Sequence, residues 1–197
     1  LIILCVLCAR QTGSCMSLKR IIASLFHTSA PVGLREKIIS AVGAFVGIFA
    51  AAFISKNFGV KAAPLLIASM GASSVLLYAA PHSPMAQPWS FVGGHLISGM
   101  IGVTCFLLIP DPLMAAAGAV ALAIFAMQLT NSLHPPGGAT ALAMVIGGTE
   151  VHRLGYGAVL DPVGLSVVVL MIIALVVNNL SPGRRYPVLS PVATGQK

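Results

Sequence analysis

Apolar residues come in long runs separated by short polar or proline-containing breaks, and six such runs follow one another: Ile38–Ser55, Pro64–Ala80, Ser90–Ile109, Leu113–Thr130, Pro136–Gly148 and Val163–Leu180. Runs of this length read as membrane helices. The first carries Gly43-x-x-x-Gly47, a spacing that lets two membrane helices approach closely. The second is shorter and interrupted by Gly71, and the fifth is too short to span about 30 Å as one regular helix. The third contains His95 and the small residues Ser98 and Gly102. Pro110-Asp111-Pro112 makes a firm turn before the fourth, whose Ala and Gly content marks a packing helix. The sixth is rich in Val, Ile and Leu, which suits lipid contact.

The most informative break is Asn131-Ser132-Leu133-His134-Pro135-Pro136-Gly137-Gly138-Ala139-Thr140, after which apolar sequence resumes at once from Ala141. Prolines and glycines interrupt a helix, and irregular backbone at membrane depth is tolerated only where protein or a water-filled cavity covers it. The pattern predicts a break within the membrane, with a short helix starting at about Gly138 and its first N–H groups exposed.

The second and fifth runs resemble each other. Gly71-Ala72-Ser73-Ser74 lies opposite Gly138-Ala139-Thr140-Ala141, each follows a proline, and each comes after a helix containing Ile-Phe-Ala (residues 48–50 and 124–126). Chance in an Ala/Gly-rich chain is the competing account. Halves of three segments would be inverted relative to one another, and matched interrupted segments point to a transporter's binding site. The expected fold is an all-α integral membrane protein of about six segments, built as two inverted three-segment repeats, with the second and fifth broken or re-entrant.

Composition strengthens the membrane reading. Of 197 residues 57% are hydrophobic and 8% charged, with a mean hydropathy of +0.98; an average soluble domain carries roughly a quarter charged residues. The net charge of +7 is concentrated before the first run (Arg10, Lys19, Arg20, Arg35, Lys37) and after the last (Arg184, Arg185, Lys197). The positive-inside rule then places both termini in the cytoplasm and requires an even number of crossings. The basic residues are not interleaved with aromatics, so a nucleic-acid partner is not expected. The partner is the lipid bilayer, and the small-residue faces suit a homo-oligomer, a dimer or trimer.

Residues 1–34 read as an N-terminal extension. Leu18, Ile21, Ile22, Leu25 and Phe26 fall on one helical face beside Lys19 and Arg20, the pattern of a short interfacial helix, though an ordinary packed amphipathic helix would look the same. Cys5-x-x-Cys8 has no second pair and reads as incidental, and Cys105 as a small buried hydrophobe. Residues 35–187 form the membrane domain, and 188–197 a flexible cytoplasmic tail.

If the repeat is real, two half-helix N-termini meet near the midplane. Each offers N–H groups and the positive end of a helix dipole, with hydroxyls from Ser73, Ser74 and Thr140. Gly71, Ala72, Ser73, Ser74, Gly137, Gly138, Ala139 and Thr140 are the candidate binding residues for a small anion. The acidic residues Glu36, Asp111, Glu150 and Asp161 lie at segment ends, which argues against a cation pathway. His95, Asn131, Ser132, His134, Pro135 and Pro136 are pathway candidates. His134 has three readings: anion donor, proton carrier, or structural cap. No catalytic residue, cofactor or metal ligand is expected, and no enzymatic activity.

His134-Pro135-Pro136 followed by Gly137-Gly138-Ala139-Thr140 resembles the signature of the HPP family of integral membrane proteins. Further matches are Pro64 with Gly71-Ala72-Ser73, Ser83-Pro84 with Gln87-Pro88, Gly94-His95, Asn178-Asn179 and Tyr186-Pro187. The resemblance covers about residues 35–187. It implies a bacterial or plastid membrane protein, with nitrite as the first candidate substrate because plant and cyanobacterial members are associated with its transport. The family is often described with four transmembrane segments, which six apolar runs would match if the second and fifth were re-entrant. With no plastid transit peptide evident, the bacterial cytoplasmic membrane is the expected location. Two other classes compete with a nitrite transporter or channel: a non-transporting membrane subunit or sensor, and an intramembrane metal or redox site using His82, His95 and His134, whose spacing gives no HxxxH or HExxH pair.

Overall fold

Among the described residues four α-helices open on a proline, at a position where the missing N–H would have had no helical partner. The structure, a computed structural model, describes residues 32–57 and 64–188. The chain divides at Gly33/Leu34 into two units, and all the described helices belong to the second. The interfacial-helix candidate, Cys5-x-x-Cys8 and the tail beyond Val188 lie outside the described residues. Helix α1 is Leu34–Asn57. Helix α2 is Pro64–Ser74 and runs on into a π-helical turn, Val75–Ala79. A 3₁₀ turn at Pro84–Ala86 leads to α3, Pro88–Leu108, followed by α4, Pro112–Leu129, and α5, Pro135–Ile146. The short α6, Thr149–Leu154, and a second π-helical turn, Val159–Gly164, precede α7, Leu165–Leu180. Asp111 caps α4 by accepting from Met114 N at 2.8 Å, which fixes the tight α3–α4 turn.

Among the described residues four stretches are long and apolar enough to cross a membrane: Leu34–Ile54, Pro88–Leu108, Pro112–Leu129 and Val159–Leu180. Two shorter apolar helices, Ala68–Ala79 and Pro135–Ile146, stand between them. The order long, short, long therefore occurs twice, with boundaries close to those read from the sequence.

Side-chain pairings give the directions. α1 and α7 are antiparallel: a Cβ at Gly43 would touch Val177 and one at Gly47 would touch Leu170. α3 and α5 are parallel, since Gly94 abuts His134, Gly99 abuts Thr140 and Gly102 abuts Met144. α2 runs against α5, because Ser73 meets His134 whereas Ser69 meets Thr140. The directions of these paired helices thus alternate along the chain. Arg184, just past α7, reaches Glu36 at the start of α1, so both ends of the bundle's chain lie on the same side.

Two apolar clusters hold the helices together. One gathers Tyr78, Phe91, Met144, Val163 and Leu170, and the other gathers Ala115, Ala119, Ala123, Met127 and Cys105. The Gly43-x-x-x-Gly47 face receives the Tyr78 ring: a Cβ would fall 2.7 Å from Cδ1 at Gly43 and 2.5 Å from the hydroxyl at Gly47. On the other side of α1, Phe45, Phe49 and Phe53 stack in an exposed row, an apolar surface of the kind that meets acyl chains.

The π-helical turn after α2 leaves carbonyls outside the regular ladder, and buried polar groups take them up. Asn178 Nδ2 donates to Leu77 O at 3.0 Å. Tyr78 O accepts from Ser40 Oγ at 2.7 Å and from Arg184 at 3.1 Å. Arg184 also holds Asn178 Oδ1 at 3.0 Å and Glu36 at 2.6 Å. Asn179 binds both backbone groups of Tyr186, whose hydroxyl donates to Ala86 O at 2.6 Å. Asn178, Asn179 and Tyr186 thus close the bundle end. Replacing Arg184 with Met leaves buried Asn178 Oδ1 without its donor and lowers stability by about 1–3 kcal/mol. Exposed Arg185→Met changes it by less than about 0.5 kcal/mol. Thermal unfolding in detergent compares the two.

Candidate functional site

The residue before a proline is pushed into extended backbone, and His134, which precedes Pro135-Pro136, sits at φ −136°, ψ 105° as the cap of α5. That conformation sends its imidazole back between α2 and α3. There it meets His95, seven residues past Pro88, about 10 Å along α3 from its start. Both rings are fully buried, 5.0 Å apart, with Phe91 edge-on to each at 5.2 and 5.3 Å.

A chain of hydrogen bonds joins the three helices. Ser73 Oγ, on α2, lies 2.8 Å from His95 Nε2 and 2.9 Å from His134 Nε2. The other nitrogen of His95 lies 2.7 Å from Thr140 Oγ1 on α5. His134 Nδ1 donates to Met85 O at 2.7 Å. Thr140 Oγ1 is also 3.2 Å from Ser69 Oγ and 3.3 Å from Pro136 O, and Ser73 Oγ is 3.1 Å from Ser69 O. The groups named in these contacts are hydroxyls, imidazoles and backbone carbonyls.

Close packing makes these contacts possible. A Cβ on Gly137 would fall 2.7 Å from Gly94 O and 2.8 Å from Ser98 Oγ, and one on Gly94 would strike His134 Cβ. Ser98 Oγ is buried without a hydrogen-bond partner. By contrast, among the described residues a Cβ on Gly138 would meet only Val120 at 3.9 Å, and one on Gly71 would meet nothing within 4 Å. Of Gly71, Gly137 and Gly138, Gly137 is the one packed against a neighbouring helix among the described residues.

The expected meeting of two helix N-termini does not occur. α2 begins at Pro64, so Gly71, Ala72, Ser73 and Ser74 form its last α-helical turn, and the chain continues helically to Ala79. An isolated glycine is tolerated within a helix, and nothing nearby forces a break at Gly71. α5 begins at Pro135, three residues before the expected Gly138. Its first two helical residues have no N–H, and Gly137 N donates to His134 O at 2.8 Å. The N-terminus thus offers fewer free donors than expected, and the side chains supply the polar surface instead. Ser73 and Thr140 belong to the hydrogen-bonded chain, Ser74 bonds Met70 O within α2, and Ala72 and Ala139 are exposed.

Ser132 is buried and bonds Thr130 Oγ1 at 2.7 Å, while Asn131, with φ +53°, ends α4. Asn131 also lines an open recess of about 300 Å³ with Pro84, Met85, Ser90, Gln128 and Leu133. Met85, whose carbonyl holds His134, is part of its wall, so the recess stops one hydrogen bond from the imidazoles. His82 lies elsewhere, in a surface recess with Arg185 and Asn179. Among the described residues no group of three His, Cys, Asp or Glu is placed to hold a metal ion. Sequence reasoning missed Ser69, although it precedes Ser73 by one helical turn. His152, expected as a loop residue in the polar connection before the last long segment, lies on α6, donates to Val145 O at 2.9 Å and stacks on Phe106.

Long apolar helices around a buried polar cluster define an integral, multi-pass membrane protein. The chain belongs to the HPP transmembrane-region family, which it matches over residues 29–187. Two Dictyostelium discoideum proteins, each described only as a transmembrane protein, are 38% identical to it over 152 and 151 residues. The alignments cover 75% and 74% of this chain and 49% and 53% of theirs, so the chain spans about half the length of these curated relatives. No solved structure matches the chain.

The glycine geometry gives a paired prediction. Gly137→Ala pushes α5 off α3 and costs about 1–3 kcal/mol. Gly138→Ala changes stability by less than about 0.5 kcal/mol. Melting temperatures in detergent separate the two.

Proposed function

We propose that the protein carries a small inorganic anion across the membrane, with nitrite the first candidate, along a path from the recess at Met85 and Asn131 to the cluster of Ser73, His95, His134 and Thr140. The observation that carries this reading is a buried group of hydroxyls and imidazoles between apolar helices, with no carboxylate bonded to it among the described residues, and joined by Met85 to an open recess. Intramembrane polar groups are costly and are kept where they serve a pathway. Serine, threonine and imidazole N–H groups donate to an anion without a fixed positive charge that would trap it.

The twice-repeated order of long, short and long segments supports two inverted halves, and the alternating helix directions are what such inversion requires. Both termini on the cytoplasmic side, and the bacterial cytoplasmic membrane, belong to the same proposal. Nitrite itself rests on the family resemblance. A second reading, a membrane subunit or sensor without a transport path, is favoured by one observation: the cluster's groups already bond one another.

Reconstituted protein is expected to take up nitrite into liposomes faster than empty liposomes do. Thr140→Val removes a hydroxyl worth about 1–1.5 kcal/mol, and reduces uptake about tenfold. Size-exclusion and melting profiles report whether that variant is folded. Uptake no faster than in empty liposomes, under both a proton gradient and a membrane potential, would sink the transport reading.

A further inference from the structure

The hydrogen-bonded chain has a direction, and one acceptor sets it. A carbonyl oxygen only accepts, so His134 Nδ1 carries a proton toward Met85 O. In a neutral imidazole Nε2 is then bare, and the Ser73 hydroxyl must donate to it if that contact is a hydrogen bond. A hydroxyl has one proton, so Ser73 can only accept from His95, and His95 Nε2 bears the proton. His95 Nδ1 is then bare and accepts from Thr140. With both imidazoles neutral, this polarity satisfies each contact along Thr140, His95, Ser73 and His134, and Ser73 gives its proton to His134 rather than to Ser69 O.

The reverse polarity also satisfies every contact, and it differs by one proton. Thr140 then donates toward Ser69 Oγ or Pro136 O, His95 Nδ1 donates to Thr140, Ser73 donates to His95 Nε2, and His134 donates from both nitrogens. His134 is then an imidazolium and His95 is neutral in its other tautomer.

We propose that Thr140, His95, Ser73 and His134 form a relay that takes up one proton at the Thr140 end and holds it on His134, so that passage of the anion is coupled to protons. The coupling rests on the transport reading above; the relay does not. The step balances. A hydronium ion gives a proton to Thr140 Oγ1 and leaves as water, and the O–H bond already there breaks as its proton passes to His95 Nδ1. His95 Nε2–H passes to Ser73, and the original Ser73 proton passes to His134 Nε2. No electrons are exchanged, and His134 gains the single positive charge. A carried anion beside that imidazolium would neutralise it in the apolar interior.

Few titratable groups face the cluster among the described residues. α3 contributes His95 and α5 is capped by His134, while α2, α4 and α5 themselves contain none. Tyr186 is near by, bonded to Ala86 O next to Met85. With the rings 5.0 Å apart only one of them holds a charge at a time.

Nitrogen-15 NMR of histidine-labelled protein in nanodiscs, titrated from alkaline to acid pH, tests the relay. His95→Gln and His134→Gln serve only to assign the signals. At alkaline pH, His134 is expected as the Nδ1–H tautomer and His95 as the Nε2–H tautomer. On acidification His134 becomes doubly protonated, and His95 changes to Nδ1–H with the same midpoint while staying neutral. In Ser73→Ala the His95 change is lost. The relay is overturned if His95 keeps one tautomer throughout, if His95 itself becomes doubly protonated, or if His134 stays neutral. It is also overturned if the His95 change survives in a folded Ser73→Ala protein. Proteoliposomes loaded with a pH-sensitive dye separate the two claims: nitrite uptake with no accompanying proton movement overturns the coupling, whereas no nitrite uptake overturns the transport reading and leaves the spectra to decide the relay.

Discussion

One buried hydroxyl, that of Ser73, stands between two buried imidazoles, with the helix carbonyl of Ser69 as its other neighbour. In an apolar interior an unmet polar group costs about 1–3 kcal/mol, so the three helices that carry these side chains are held at one spacing and one register. α2 must bring Ser73 to the rings, α3 must present His95 eight residues into its length, and α5 must start where Pro135 turns His134 inward. Gly94 and Gly137 exist in this arrangement as absences of side chain, because a Cβ on either would part α3 from α5. The same constraint acts at the end of the bundle. There the π-helical turn frees carbonyls that Asn178, Ser40 and Arg184 take up, and Glu36 offsets the charge this brings in.

These two polar centres divide the work. The Arg184 centre ties the start of α1, the end of α2 and the segment after α7 together, and its carbonyls and charges are occupied by one another. The histidine centre lies deeper and contains only neutral donors and acceptors that can exchange roles. It also lies one hydrogen bond behind an open recess, through Met85. A centre that can reorganise without losing a bond suits a solute that passes through, whereas the Arg184 centre suits a fixed joint.

Much of the architecture was readable in the residues, because apolar runs and prolines mark membrane helices directly. All six segments fell close to their expected places, and Gly43 and Gly47 were read as a packing face, which Tyr78 occupies. Ser73, His95, His134 and Thr140 were all singled out in the sequence and come together in the structure, though their joining through Ser73 and His95 was not legible. What failed was the local geometry at Gly71. A single glycine among Ala and Ser does not stop a helix, and the true irregularity came later, at Val75–Ala79, where no proline or glycine announces it. The two prolines at 135 and 136 were read as breakers that precede a helix. They are its first residues, and they remove donors from the end expected to bind an anion. Met85, which sets the direction of the histidine chain through its carbonyl, carries no side-chain signal at all.

The central claim is that the histidine cluster is where the anion pauses. The most direct measurement is an experimental density map of the protein in nanodiscs at saturating nitrite, compared with one recorded without it. The account predicts density for the anion within hydrogen-bond distance of Ser73 Oγ or an imidazole nitrogen, with the Met85 end of the recess opened toward it. A nitrite map in which Ser73, His95, His134 and Thr140 bond only one another, with the anion absent or confined elsewhere, would contradict it.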